Sequence, residues 1–282
     1  MIKQEKFAGF DVIVITEESS NSKAILCPER GGILLQLILF GEEVFYLQEE
    51  TFADVSKNIR GGNPVLFPIC GPLPNDEYEL DGVTYKMKQH GFARNKVWKT
   101  DSIEGQKVTL SLQADEETLQ QYPYYFQLKF TYELTDGKLH IYQTYANLGE
   151  GAMPFFAGFH PYFSGNHILS KYNIPSSQYF DYEDSTIKKR TCATSQLEIS
   201  DSKVFLHLSD SMISFKGEAY TMNINYSEHF KYAVLWSESP EEYICLEPWM
   251  ARAGSFTNNN GVIELAPGEQ VEAHCSFFIE KP

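Results

Sequence analysis

FQLKFTYELTDGKLHIYQTY, residues Phe126 to Tyr145, decides the fold class. Phe126, Leu128, Phe130, Tyr132 and Leu134 alternate with Gln127, Lys129, Thr131 and Glu133, the period of a strand with one face buried. Asp136-Gly137 follows, and a second apolar run continues through Leu139, Ile141 and Tyr145. An Asp-Gly pair between two alternating runs marks a two-residue hairpin. Outward from this segment the same pattern recurs. Lys107 to Ala114 alternates, Gly31 to Leu47 reads as two apolar strands broken at Gly41, and Val262 to Leu265 reads as a hairpin with Val271 to Ile279 across Pro267-Gly268. Only Asp115 to Gln121 has a helical composition, and it stops before Pro123. Turn signals at sandwich-like intervals predict an all-β chain, a large antiparallel β-sandwich with its site on one concave face. Without an internal repeat, charge block or linker tract, residues 1–282 are expected to form one continuous domain.

Bulk properties narrow the function. Hydrophobic content of 43% and charged content of 22% are those of an ordinary globular protein. Aromatic residues make up 14%, which favours strands and leaves rings to line a cleft or stack on sugars. A formal net charge of −15 argues against nucleic acid as a partner. The N-terminal MIKQEKFAGFDVIVI lacks an apolar signal segment, and no run of about 18 apolar residues occurs, so a cytoplasmic, membrane-free protein is expected. Five scattered cysteines with no CxxC pair suggest neither a disulfide framework nor a zinc site. The chain leaves open whether it is a monomer or a homodimer.

Three irregular segments carry the candidate chemistry. Residues 60–98 read RGGNPVLFPICGPLPNDEYELDGVTYKMKQHGFARNKVW, combining turn residues with Arg60, His90 and Arg94. Presentation of polar groups to a polyhydroxylated ligand and a Gly/Pro-rich loop around one structural histidine are both open readings. In AGFHPYF, Pro161 holds His160 extended between aromatics, as either a catalytic group or a core histidine. In YICLEPW, Tyr243, Cys245 and Glu247 share one strand face, so Glu247 either reaches solvent or serves a site. Cys70 and Cys245 read as small apolar core residues. No HExxH, GxSxG or phosphate-cradling glycine loop is present.

Together RGGNPVLFPICG, QHGFAR, GFHPYF and LEPW, in that order over residues 60 to 249, resemble the aldose 1-epimerase (galactose mutarotase-like) family, most closely its unassigned bacterial branch. The resemblance implies a large β-sandwich that opens and recloses a hexopyranose at C1, with no cofactor and no metal. By motif it implies Glu247 as general base on the C1 hydroxyl and His160 as general acid on the ring oxygen. It further implies His90 and Arg60 as holders of sugar oxygens, Arg94 as either a substrate contact or a brace for its loop, and Asp181 as a hydroxyl-binding residue. Glu247 is expected ionised and His160 protonated in the free protein. A hexose-6-phosphate epimerase remains as an alternative, for which Arg60, Arg94, Lys86 and Lys88 would form the cationic pocket. A non-catalytic carbohydrate-binding protein and a glycoside hydrolase rank below it, the latter because it needs two carboxylates.

Overall fold

The computed structural model describes residues 1–199, 201–258 and 261–281. Its main body is two antiparallel sheets closed over one apolar core. The nine-stranded sheet runs Thr194–Gln196, Lys171–Asn173, Met212–Lys216, Thr221–Tyr226, Gln270–Glu280, Lys138–Asn147, Phe126–Thr135, Lys107–Gln113 and Lys99–Glu104. Its centre is the Asp-Gly hairpin, paired from Phe126↔Asn147 to Thr135↔Lys138. Asp136 and Gly137 both have positive φ (53° and 66°), as a type I′ turn requires. Leu128, Phe130, Tyr132 and Leu134 are buried while the residues between them are at least partly exposed, which is the alternation seen in the sequence.

The eight-stranded sheet runs Thr186–Lys189, Gln178–Asp181, Lys203–Phe205, Tyr232–Trp236, Tyr243–Trp249, Gly158–Phe159 and Val65–Leu66, with Tyr162–Ser164 also paired to Tyr243–Trp249. Phe130 meets Phe159 and Phe67 meets Tyr145, tying the two sheets across the core. A five-stranded antiparallel meander, Ile2–Phe7 to Glu42–Glu43, packs alongside. The fold is the large antiparallel β-sandwich expected from the periodicity.

Two local readings are corrected. Ile263–Leu265 does not form a hairpin with the last strand; it pairs with Met153–Phe155, while Gln270–Glu280 lies between Lys138–Asn147 and Thr221–Tyr226. Both sides of that long strand are already taken, and Asn147 holds the departing chain through Nδ2 donating to the Leu265 carbonyl. After Gly41 only Glu42–Glu43 is a strand, and the apolar Val44 to Leu47 continues through isolated bridges to Phe163 and Gly61. Helices are short. Glu116–Gln121 is capped reciprocally by Asp115 and Thr118, and Glu49–Ala53 is a further turn absent from the sequence reading. All five cysteines are free, and among the described residues no helix is long and apolar enough to cross a membrane.

Candidate active site

The site begins with alternation on one strand. In Tyr243–Trp249, Ile244 and Leu246 enter the core, while Tyr243, Cys245, Glu247 and Trp249 lie on the other face. Val234 stands opposite Glu247 and Trp236 opposite Cys245, extending that face across the neighbouring strand. The result is a cavity of about 410 Å³, within the size range of small-ligand pockets, lined by polar and aromatic side chains. Arg60, His90, Arg94, His160 and Glu247 all line it.

Each of these is held by backbone chemistry that the irregular segments supply. Gly158 approaches Trp249 so closely that a Cβ would lie 2.8 Å from the indole, so the segment leading to His160 tolerates no side chain there. The His160 N–H donates to the Pro64 carbonyl (3.1 Å), and its ring stacks on Tyr162 with centroids 4.9 Å apart. His90 adopts a positive φ of 69°. Its N–H donates to the Gly71 carbonyl, and the Gly71 N–H donates back to His90 Nδ1, each at 3.0 Å. An accepting Nδ1 leaves the neutral ring's proton on Nε2, which faces the Gln89 side-chain amide at 3.1 Å. Gly91 follows at φ 66°, where a Cβ would meet the Phe67 carbonyl oxygen at 2.2 Å. Arg60 lies over Trp236 (5.5 Å to the ring centroid) and pairs with Glu238 at 2.9 Å. Arg94 Nη2 donates to the Gln89 carbonyl (3.0 Å), and its buried Nε has no hydrogen-bond partner in the protein.

At the centre, His160 Nε2 lies 3.4 Å from Glu247 Oε1, and the Trp249 indole N–H donates to Glu247 Oε2 at 3.0 Å. Glu247 is 1% exposed and His160 8%. Burial drives the Glu247 carboxyl well above the usual carboxylate range, against the opposing pull of Trp249 and Arg94. Burial, and then Arg94, drives His160 down to about 3. Burial likewise holds His90 well below the ordinary histidine value, helped by His160 and Arg94. Both directions run against the expectation of an ionised Glu247 beside a protonated His160 in the free protein. Burial strips the carboxyl of most of the solvation that favours its charged form, and within the protein one indole N–H donates to it in return.

Asp181 is the sequence candidate that the fold takes elsewhere. It does not line the cavity, although its neighbour Tyr182 does. Its buried carboxylate pairs with Lys188 at 2.8 Å and Lys203 at 3.3 Å and accepts from the Glu183 N–H. Lys86 and Lys88 line a separate surface depression. Conversely, Tyr162, Trp236 and Glu238 line the cavity without having been singled out. The alternation of YAVLW against YICLEPW would have placed Trp236, whereas Glu238 lies in an irregular turn with no such signal.

Residues 13–277 match the aldose 1-epimerase family. The chain belongs to that family. Protein LacX of Lactococcus lactis subsp. lactis is 28% identical over 237 residues, covering 73% of this chain and 79% of its own. Among solved structures, the Slr1438 protein of Synechocystis sp. PCC 6803 is 31% identical with a TM-score of 0.91, covering 96% of both chains. A galactose mutarotase-like protein of Clostridium acetobutylicum superposes with a TM-score of 0.82 at 20% identity, over 100% of this chain and 99% of its own, a likeness of fold. For an epimerase-family member, the cavity on the outer face of the eight-stranded sheet is the place to look for chemistry on a sugar.

Proposed function

We propose that this chain interconverts the α and β anomers of an unphosphorylated aldohexose by opening and reclosing the pyranose ring. The observation that carries the reading is the carboxyl–imidazole pair, 3.4 Å apart and buried at the floor of a polar cavity. Opening a hemiacetal requires a proton to leave the C1 hydroxyl while another reaches the ring oxygen, and reclosure on the other face of C1 reverses both. Glu247 takes the first proton and His160 gives the second. Sugar hydroxyls and Arg94 favour the carboxylate form, so that a proton held between the pair lies on the imidazole before the C1 hydroxyl gives up its own. Reclosure returns both groups to their starting state, so no proton or electron is gained or lost overall. His90 Nε2–H, Arg60 and Arg94 supply donors to sugar oxygens.

The balance of charge favours a free sugar over a sugar phosphate. Arg60 is already paired with Glu238, and the lysines that a phosphate site would recruit lie outside the cavity. Arg94, with its unpartnered Nε, keeps the hexose-6-phosphate reading as the second choice. Asp181, tied to two lysines, gives no help to a glycosidase reading.

The test is exchange between α and β anomers of glucose, galactose and glucose 6-phosphate, followed by polarimetry or NMR. Free hexose exchange should be accelerated, and Glu247→Gln and His160→Asn should each lose roughly 10²- to 10⁴-fold. His90→Asn should keep more activity than either. Acceleration of glucose 6-phosphate alone would move the substrate to the second reading. Sugar binding without acceleration would make the protein a carbohydrate-binding module.

A further inference from the structure

On the solvent face of the nine-stranded sheet, neighbouring strands bring two imidazoles together far from any role in the cavity. Leu139, Ile141 and Gln143 point into the core, so His140 and the exposed Tyr142 point outward; on the adjacent strand His274 does the same. Tyr142 stands directly opposite His274, and His140 directly opposite Ser276, which makes the two histidines diagonal neighbours. His140 Nδ1 and His274 Nε2 lie 3.1 Å apart. The Tyr142 ring flanks both, at 5.8 Å from His140 and 4.9 Å from His274.

The two rings are hydrogen-bonded, one N–H donating to the other ring's bare nitrogen, and the same spacing suits a metal ion that takes the place of that proton. Two imidazole nitrogens each about 2.0–2.1 Å from one ion lie roughly 2.8–3.4 Å apart, from right-angled to tetrahedral arrangements. An ion would have to displace the proton that the hydrogen bond holds between the two nitrogens. A carboxylate stands beside them: Glu133 is directly opposite His140 on the next strand, where side chains start about 4.5–5.5 Å apart. Glu133 is paired with Lys107 at 3.3 Å, but that lysine is 51% exposed, so solvent screens the pair and leaves it weak.

We propose that His140 and His274 form a binding site for a divalent transition-metal ion, with Glu133 swinging from Lys107 to become the third ligand and water completing the shell. Imidazole donors suit Cu²⁺, Ni²⁺ and Zn²⁺, with Cu²⁺ bound most tightly of the three. The site is independent of the epimerase reading, since neither histidine lines the cavity.

The test is calorimetric titration of the full chain, carrying no affinity tag, with Cu²⁺, Ni²⁺ and Zn²⁺. One ion per chain is expected, Cu²⁺ tightest. His140→Asn or His274→Asn should weaken Cu²⁺ at least tenfold, and Glu133→Gln by a smaller factor, all with anomer exchange unchanged. In the unmodified protein, substoichiometric Cu²⁺ should broaden the NMR ring signals of His140, His274 and Tyr142 first. Unaltered Cu²⁺ binding in the double histidine variant would overturn the site. So would broadening centred elsewhere, or binding lost instead in Cys245→Ser, because His160, Cys245 and Glu247 offer donor atoms within 4.8 Å of one another. Absence of anomer exchange would leave the metal result standing, and absence of metal binding would leave the exchange result standing.

Discussion

The indole N–H of Trp249 is the one hydrogen-bond donor within the protein that reaches the Glu247 carboxylate among the described contacts, and it does so from two residues along the same strand face. Trp249→Phe keeps the ring's apolar bulk and removes that donor. Hydrogen bonds to charged groups contribute about 1.5–3 kcal/mol, so the carboxylate form of Glu247 should become at least tenfold rarer. The expected outcome is a kcat roughly tenfold lower, with the acid limb of its pH profile moved up by about one pH unit and KM little changed. A purely structural tryptophan would instead raise KM or lower thermal stability without moving the limb. Glu247 itself should show the cost of ionisation in a dry site. Its folded-state value lies above its unfolded one, so its stabilising contribution is complete below the unfolded value and fades as pH rises through the folded one. Glu247→Gln, which cannot ionise, should therefore gain thermal stability over the natural protein as pH is raised from neutral, and equal melting curves at high pH would count against the buried neutral carboxyl. Sequence motifs brought Arg60, His90, Arg94, His160 and Glu247 to this cavity because each carries its own local signature of glycine, proline or alternation. Asp181 had only a short motif, and what claims it is a pair of lysines, one across a hairpin and one from a separate strand, a tertiary pairing that no local spacing reveals.

Glu17 shows how one element fixes another. It ends the strand Phe10–Glu17 of the five-stranded sheet, yet its carboxylate accepts from the Asp136 and Gly137 N–H groups at 2.7 Å each and from Ser20 Oγ. It thus clamps the central hairpin turn of the sandwich. Gly137 has no room for a side chain, since a Cβ there would lie 2.2 Å from the Phe40 ring. Glu17→Ala would leave turn N–H groups without their acceptor and should cost on the order of 3 kcal/mol, read from urea unfolding, with anomer exchange at room temperature unaffected. A loss under 1 kcal/mol would mean that water replaces the clamp. The hairpin it holds was plain in the sequence because period-2 alternation and the Asp-Gly turn agree along ten residues of each strand. The error at Val262 to Leu265 has the opposite cause. A three-residue strand carries too little pattern to choose a partner, and the choice was made by Asn147 and by two long neighbours already flanking the final strand. The turn Glu49–Ala53 escaped for a related reason: it has no side-chain cap and only Phe52 buried.

Across the whole molecule, buried histidines and a clamped carboxylate tilt stability in the same direction with pH. His160 is pushed down to about 3 and His167 to about 4, both chiefly by burial. A histidine whose folded value is depressed contributes stability that is complete above its unfolded value, near 6.5, and is lost as pH falls toward the folded value, because the unfolded chain takes the proton first. Glu17, held below the usual carboxylate range against its own desolvation by Ser20, Gly137 and Asp136, adds a loss of the same sign at lower pH. The formal charge of −15 does not set this trend, since protonation would relieve the repulsion among surface carboxylates as pH falls. His167 offers the cleanest separation, because it lies outside the cavity with its ring between Ser170 Oγ (3.1 Å) and the Ser164 carbonyl (3.3 Å). Unfolding free energy of the natural chain should fall steeply between pH 6.5 and 4, with His167 supplying roughly 3 kcal/mol of that fall. His167→Asn should start less stable at pH 7 and then lose correspondingly less, so that the two urea-midpoint curves converge toward pH 4. Parallel curves would show that His167 titrates alike in the folded and unfolded chains, and that the acid sensitivity arises from other groups, His160 and Glu17 among them.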